Sequence, residues 1–163
     1  MNKTLTALLL SALPALALAA GEHSGGHGHD MAGMQQGARA SAVGKPGDPA
    51  RVNRTVEVST DDSMRFTPSQ IAVKTGETVR LFVKNTGKLP HEMVIGTLSE
   101  LKEHAEMMRK MPDMKHAEPN MVTLAAGQRG GIVWQFDKAG LVDFACLIPG
   151  HMEAGMVGQI KVE

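Results

Sequence analysis

Four residues in the second half of the chain have side chains that bind metals, and their order along the sequence is distinctive. Cys146, His151 and Met156 follow one another within eleven residues, and His91 lies well upstream, directly after a proline. Two imidazoles, one thiolate and a weakly held thioether form a ligand set that suits copper in both of its oxidation states. The sequence therefore predicts one mononuclear copper site at these four residues.

Each of these residues has a commoner role when it is taken alone. A lone inward-facing cysteine is usually an inert core residue, a histidine after a proline usually lies in a loop, and an inward methionine usually fills the core. Zinc is the competing metal, but zinc prefers four strong tetrahedral ligands and makes little use of a thioether. The combination, with Pro149-Gly150 beside it, favours copper.

Short strands must position these residues. Beyond the first third of the chain, apolar and polar residues alternate, as at Val79, Leu81 and Val83, and turns that contain glycine recur at short intervals. This pattern predicts an all-β fold, a Greek-key β-sandwich. On the last strands, the alternation places Cys146 and Met156 on inward faces.

One segment, residues 97–111, departs from the strand pattern. Its apolar residues recur at three- and four-residue spacing, and Thr97 with Glu100 forms a capping box. We therefore expect one short helix inserted between strands. His104 and Met107 share a face of this helix, and packing is the favoured explanation for its methionines.

Residues 1–19 are predicted to be a secretory signal peptide. Lys3 precedes an apolar run that ends in the small-residue triplet Ala17-Leu18-Ala19, so cleavage is expected before Ala20. The run is shorter than the ~20 apolar residues that a membrane span needs. We expect export to the periplasm, with no membrane anchor after cleavage.

Residues 20–50 are predicted to form a disordered arm, because Gly, Ala, Ser, His and Met dominate and large apolar side chains are scarce. His-rich tracts commonly bind metals. The candidate auxiliary metal ligands of the arm are His23, His27, His29, Met31 and Met34. Cleavage one residue later would begin the chain at Gly21-Glu22-His23, which offers oxidised copper a square-planar nitrogen set.

The charge balance excludes some partners. Lys and Arg together number 17, as do Asp and Glu, so loss of Lys3 with the signal peptide leaves 16 against 17, a net charge of about −1. Nucleic acid is not an expected partner. The single cysteine, Cys146, cannot form an internal disulfide, which leaves it buried, reactive or bound to metal.

Residues 52–163 resemble the cupredoxins, the type 1 copper family of plastocyanin, azurin and rusticyanin. The resemblance rests on Val73-Lys-Thr-Gly-Glu-Thr-Val79, on Pro90-His91, and on Phe144-Ala-Cys146 running to Met156. The ligand spacing is most similar to that of rusticyanin. The helix insert and the His- and Met-rich arm are similar to those of the periplasmic copper-tolerance cupredoxins. We accordingly expect a cupredoxin domain over residues 51–163.

The resemblance implies one type 1 copper ion that carries one electron, with His151 near the surface as the exit for the electron. Many family members have Asn after the first histidine ligand, where it braces the ligand loop, whereas this chain has Glu92. The Glu92 departure concerns the bonding around the ligands rather than the ligands themselves.

Two functions remain open on this basis. The protein could serve copper tolerance, by binding copper ions and oxidising the more toxic reduced ion, or it could carry electrons between respiratory partners; the redox partner protein is unknown. We do not expect an enzyme, because copper enzymes of this kind need further histidines in further domains. The folded region has no His-x-His pair.

Overall fold

The computed structural model describes residues 43–111 and 117–163, which form a sandwich of two five-stranded sheets. The first sheet contains, in spatial order, β1 (Lys45–Pro46), β8 (Arg129–Gln135), β5 (Thr78–Asn85), β2 (Arg54–Asp61) and β3 (Arg65–Thr67). The second contains β4 (Gln70–Val73), β10 (Val157–Val162), β9 (Gly140–Ala145), β6 (His91–Gly96) and β7 (Met121–Leu124). The predicted all-β sandwich is confirmed.

Alternation along the strands builds the core between the sheets. In β5, Val79, Leu81 and Val83 are fully buried, as the pattern predicts. The rings of Phe66 and Phe144 bridge the two sheets, with centroids 5.1 Å apart and planes at 77°, an edge-to-face arrangement that aromatic pairs favour. Cys146 and Met156 belong to this same buried cluster, so both residues face inward.

The strand connections bring the end of β9 next to the start of β6. These two strands are antiparallel neighbours, and Ala145 lies opposite Val94 in their register. β10 pairs antiparallel with β9 on its other side, with Val157 opposite Ala145. Consequently the residues just after β9, just before β10 and at the start of β6 meet at one end of the second sheet.

Residues 43–50, which the sequence analysis assigned to the arm, lie against the first sheet instead. β1 pairs antiparallel with β8, and Val43 is buried. The indole N–H of Trp134 donates to the Val43 carbonyl at 3.0 Å, and a buried indole needs such an acceptor. The sequence of this short segment resembles the arm in composition, so its docking was not predictable from composition alone. Residues 1–42 lie outside the described residues, and the division into signal peptide, arm and domain remains a prediction.

The predicted helix insertion is confirmed as α1 (Leu98–Lys110). Thr97 caps it: its hydroxyl accepts from the Glu100 N–H at 3.3 Å, and the Glu100 carboxylate accepts from the Thr97 N–H at 2.7 Å. Leu101 and Ala105 are buried and pack with Ala145 and other residues in a second, smaller cluster. α1 therefore covers the outer face of β6 and β9, beside the end where the candidate ligands lie. No helix in the described part of the chain has the length and apolarity needed to cross a membrane.

Candidate metal centre

The structure brings together three of the four predicted ligands. One potential ligand atom each from His91, Cys146 and His151 lies within 4.8 Å of the others. The Cys146 Sγ is 3.3 Å from the His151 Nδ1, and the two imidazole centroids are 5.1 Å apart. His91 and Cys146 are completely buried, whereas His151 is partly exposed. Two nitrogens and one sulfur therefore face a common point near the surface.

Met156, the fourth predicted ligand, is completely buried beside this group. Its carbonyl accepts from the Cys146 N–H at 3.1 Å, and its own N–H donates to the His151 carbonyl at 3.0 Å. The Met156 backbone is therefore hydrogen-bonded to Cys146 and to His151, two of the other predicted ligands. Its role as a weak axial ligand remains a prediction.

Backbone hydrogen bonds close the segment between Cys146 and Met156, residues 147–155, which we call the ligand loop. Within it, the Ala154 N–H donates to the Gly150 carbonyl at 3.0 Å, and the Gly155 N–H donates to the Met152 carbonyl at 2.9 Å. Gly150 and Gly155 have φ angles of +91° and +94°, which favour glycine because a Cβ would strain the backbone there. The loop thus holds His151 through a series of local turns.

The surroundings of Cys146 suppress its ionisation in the metal-free chain. Burial raises the pKa of the Cys146 thiol to about 12, although backbone N–H groups of Glu92 and Ile148 donate to the sulfur and act in the opposite direction. The Glu92 N–H lies 3.4 Å from Sγ. A thiol with this pKa ionises at neutral pH only when a cation takes the place of its proton. Two N–H donors directed at the sulfur would stabilise the thiolate that results.

Glu92 braces the ligand loop from β6. Its side chain is buried; Oε1 accepts from the Leu147 N–H at 3.0 Å, and Oε2 accepts from the Thr123 hydroxyl at 3.3 Å. The resemblance gave this bracing role to Asn in many cupredoxins. In this chain a carboxylate fills the role, so the contact is kept while an ionisable group replaces an amide.

His91 presents a nitrogen that fits a metal. Its Nδ1 is buried and has no hydrogen-bond partner among the described residues, a costly state for a polar atom. Its Nε2 lies 3.4 Å from the Asp62 Oδ1. The His91 ring belongs to the group formed with Cys146 and His151, and a set of two imidazoles and one thiolate suits copper. The donor set therefore fits the predicted ion.

His151 is prepared to bind as a neutral imidazole. Burial lowers the pKa of His151 below its ordinary value, and the neighbouring His91 lowers it further. A neutral imidazole has a free lone pair for a metal ion. The ring of His151 is partly exposed, unlike that of His91.

Sequence reasoning missed the supporting residues. Asp62 is 29 positions from His91 and Thr123 is 31 positions from Glu92, so no local spacing links either pair. The one available signal was Glu92 itself, noted as a departure from the family pattern. The auxiliary candidates in the arm, His23, His27, His29, Met31 and Met34, lie outside the described residues. Within residues 43–111 and 117–163, no second group of three His, Cys, Asp or Glu side chains is close enough to hold a metal.

A family comparison matches most of the described chain. The profile of the copper binding proteins, plastocyanin/azurin family, matches residues 52–163. This region contains all four predicted ligands.

Two named relatives are similar over most of their length. The copper-resistant cuproprotein CopI of Rubrivivax gelatinosus is 53% identical over 140 residues, which cover 86% of this chain and 80% of that protein. The copper-resistant cuproprotein CopI of Vibrio cholerae is 39% identical over 123 residues, which cover 75% of this chain and 73% of that protein.

Solved structures show the same fold at low sequence identity. Reduced auracyanin from the photosynthetic bacterium Roseiflexus castenholzii superposes with a TM-score of 0.59 at 21% identity, covering 69% of this chain and 98% of that chain. The similarity extends to the sandwich as a whole.

Proposed function

The chain belongs to the plastocyanin/azurin family of copper-binding proteins, and from that premise we propose that it is a periplasmic type 1 copper protein that serves copper tolerance. The proposed ligands are His91, Cys146, His151 and Met156. The observation that carries the proposal is the group of three donor atoms, one each from His91, Cys146 and His151, within 4.8 Å of one another. In the described part of the chain, the buried Nδ1 of His91 also has no hydrogen-bond partner.

Copper supplies a one-electron redox couple when it is bound in such a site. The residues of this chain fix where the donors lie. The turns of the ligand loop and the Glu92 carboxylate hold the loop in place, and burial keeps water from His91 and Cys146. A site whose ligands are locked by surrounding contacts keeps its geometry when the charge on the metal changes, which supports transfer of single electrons.

Copper tolerance is supported by the relatives. The Rubrivivax gelatinosus and Vibrio cholerae proteins both carry the name copper-resistant cuproprotein, and the first is 53% identical to this chain. The arm adds support, since its histidines and methionines are copper ligands by type.

Electron transfer between respiratory partners is the second candidate function. It is favoured by the partial exposure of His151, which gives a partner protein close access to a ligand. The partner would be a redox protein, whose identity the chain does not reveal. Both functions would use the same copper site. They are distinguished by whether copper tolerance or respiration fails when the protein is absent.

Visible absorption of the copper-loaded protein tests the site. We expect an intense thiolate-to-copper band that disappears in Cys146→Ser, because a hydroxyl cannot replace the soft anionic donor. His151→Ala should regain the band when imidazole is added, since the open position accepts an external ligand. His104→Ala, on α1, is the matched control and should keep the wild-type spectrum. A Cys146→Ser protein that retains the intense band would rule out this ligand assignment.

Growth under copper stress separates the two functions. Deletion of the gene should lower growth in added copper and leave respiration without added copper unchanged, and complementation with Cys146→Ser should not restore tolerance. Slower respiration with normal copper tolerance would support the electron carrier instead.

Amino-terminal mass spectrometry of the exported protein tests the predicted cleavage. The expected first residue is Ala20. A chain that begins at Gly21 would contain the amino-terminal copper motif, and copper(II) titration of its Cys146→Ser variant would then reveal a remaining site.

A further inference from the structure

A carboxylate at the surface reaches the buried ligand His91. Asp62 follows β2, and its side chain is 37% exposed, while that of His91 is 0% exposed. The distance from Asp62 Oδ1 to His91 Nε2 is 3.4 Å, somewhat longer than the ~2.7–3.2 Å of most N–H···O hydrogen bonds. The contact joins the turn after β2 to the first residue of β6.

The same carboxylate also organises the turn that precedes His91. It accepts from the Lys88 N–H at 2.9 and 2.8 Å and from the Leu89 N–H at 3.1 Å. These hydrogen bonds fix the carboxylate as an acceptor for the backbone of the turn. Asp62 therefore fixes both the imidazole and the backbone that leads to it.

The turn is shaped to receive this carboxylate. A Cβ at Gly87 would overlap the Asp62 Oδ1 and lie 2.8 Å from its Cγ, so only glycine permits the approach. From the other side, the Asn85 side chain donates to the Leu89 carbonyl at 2.7 Å and accepts from the Gly87 N–H at 2.9 Å. The turn is thus held from both sides in one arrangement.

We propose that Asp62 is a positioning residue for His91, holding the imidazole with its proton on Nε2 and its Nδ1 directed at Cys146 and His151. Asp62 Oδ1 is the acceptor for the Lys88 and Leu89 N–H groups, and when the same oxygen accepts from His91, the proton lies on the facing Nε2. A neutral imidazole has one ring proton, which leaves Nδ1 as the electron-pair donor. A carboxylate behind a ligating histidine fixes the ring and strengthens it as a donor. The proposal rests on the proposed function only in assigning copper to Nδ1.

Nitrogen-15 NMR of the metal-free protein tests the tautomer directly. We expect His91 to be the Nε2–H tautomer in the wild type and a mixture of tautomers in Asp62→Ala. Asp62→Asn retains an acceptor oxygen and should restore the Nε2–H form. An Nδ1–H tautomer in the wild type would overturn the proposal, even if Asp62→Ala failed to fold.

Copper(II) affinity, measured by competition titration, provides the second readout. We expect Asp62→Ala to weaken binding about 10- to 100-fold, as loss of such a partner commonly does, and Asp62→Asn to fall between that variant and the wild type. Asp61→Ala is the matched control. The Asp61 carboxylate also interacts electrostatically with His91, but its hydrogen bonds go to Ser63 instead of His91. If Asp61→Ala and Asp62→Ala lost equal copper affinity, the effect would come from the charge of the carboxylates alone, which would contradict a positioning role for Asp62. Absence of the thiolate band in the wild type would instead refute the proposed function, while the tautomer result would stand.

Discussion

The two sides of the metal centre are built in different ways. On one side, a single short segment supplies Cys146 and His151 and is closed by its own backbone hydrogen bonds. On the other side, His91 comes alone from β6 and is held by the Asp62 side chain, which is distant in sequence. The ligand loop therefore carries a local signature, whereas the His91 side depends on contacts that only the folded chain creates.

Glu92 joins the two sides. It is the residue after His91, and its carboxylate accepts from the Leu147 N–H, directly after Cys146. Its own N–H is directed at the Cys146 sulfur. If Glu92 couples the two sides, removal of its carboxylate should destabilise the metal-free protein more than removal of an exposed contact of the ligand loop does.

The largest effect of a single substitution at neutral pH is expected from Glu92→Ala. Removal of the carboxylate leaves the buried Leu147 N–H without this acceptor, and a buried unsatisfied group costs about 1–3 kcal/mol. Thr123 is exposed, so its hydroxyl can bond to water instead. We expect the free energy of unfolding of the metal-free protein to fall by about 1–3 kcal/mol in urea denaturation, and by less in Glu92→Gln. Glu57→Ala is the control, since that exposed side chain pairs only at the surface with Lys84. Equal losses of stability in Glu92→Ala and Glu57→Ala would mean that Glu92 does not couple the two sides of the metal centre.

The next effect concerns the buried thiol on the loop side. The pKa of Cys146 in the folded chain is about 12, above the 9.0 of an ordinary thiol. Above pH 9 the unfolded chain loses this proton and the folded chain keeps it, so stability falls as pH rises toward 12, by about 1.4 kcal/mol per pH unit. Below the ordinary pKa this stabilisation is fully present.

Urea denaturation of the metal-free wild type and of Cys146→Ala at several pH values measures the Cys146 effect. The stability difference between the two proteins should shrink as pH rises above 9, because only the wild type has the thiol. Parallel pH profiles would show that the thiol is accessible to water, and the loop side would then be looser than its hydrogen bonds indicate.

A smaller effect on stability is expected at the proposed axial ligand. Met156→Leu conserves volume, so the metal-free protein should lose less than about 1.5 kcal/mol. The variant should still bind copper, with a higher reduction potential, because loss of a donor disfavours the oxidised ion. Met93→Leu, at another completely buried methionine, should cost similar stability and leave the potential unchanged in voltammetry. Complete loss of copper from Met156→Leu would show that this residue holds the metal rather than tuning it.

The features that the sequence predicted are local ones, and those that it did not predict depend on contacts between distant segments. Alternating apolar residues and the capping box of Thr97 and Glu100 are local patterns, and the sandwich and α1 were predicted from them. The inward direction of Cys146 and Met156 was predictable from strand alternation, and both side chains are buried. These signals depend on neighbours along the chain.

The remainder depends on contacts between distant segments. The carboxylate of Asp62 reaches His91 only because β2 and the turn before β6 end side by side. Val43 is buried where its carbonyl accepts from the Trp134 indole, a pairing across 91 positions. Composition and periodicity do not encode either contact, so the docking of β1 and the contact between Asp62 and His91 required the folded structure.

The smallest effect is expected where α1 touches the ligand loop. Arg109 and Glu153 form an ion pair at 2.6 Å, with side chains 47% and 55% exposed. Exposed pairs contribute about 0.2–1 kcal/mol because water and salt screen them. A double-mutant cycle of Arg109→Ala and Glu153→Ala should give a coupling energy in that range that decreases in 1 M salt, with an unchanged copper spectrum. A larger coupling, or a shifted thiolate band in either variant, would mean that the helix holds the loop from outside. The contrast between a loop closed by its own backbone and a histidine held by distant side chains would then be wrong.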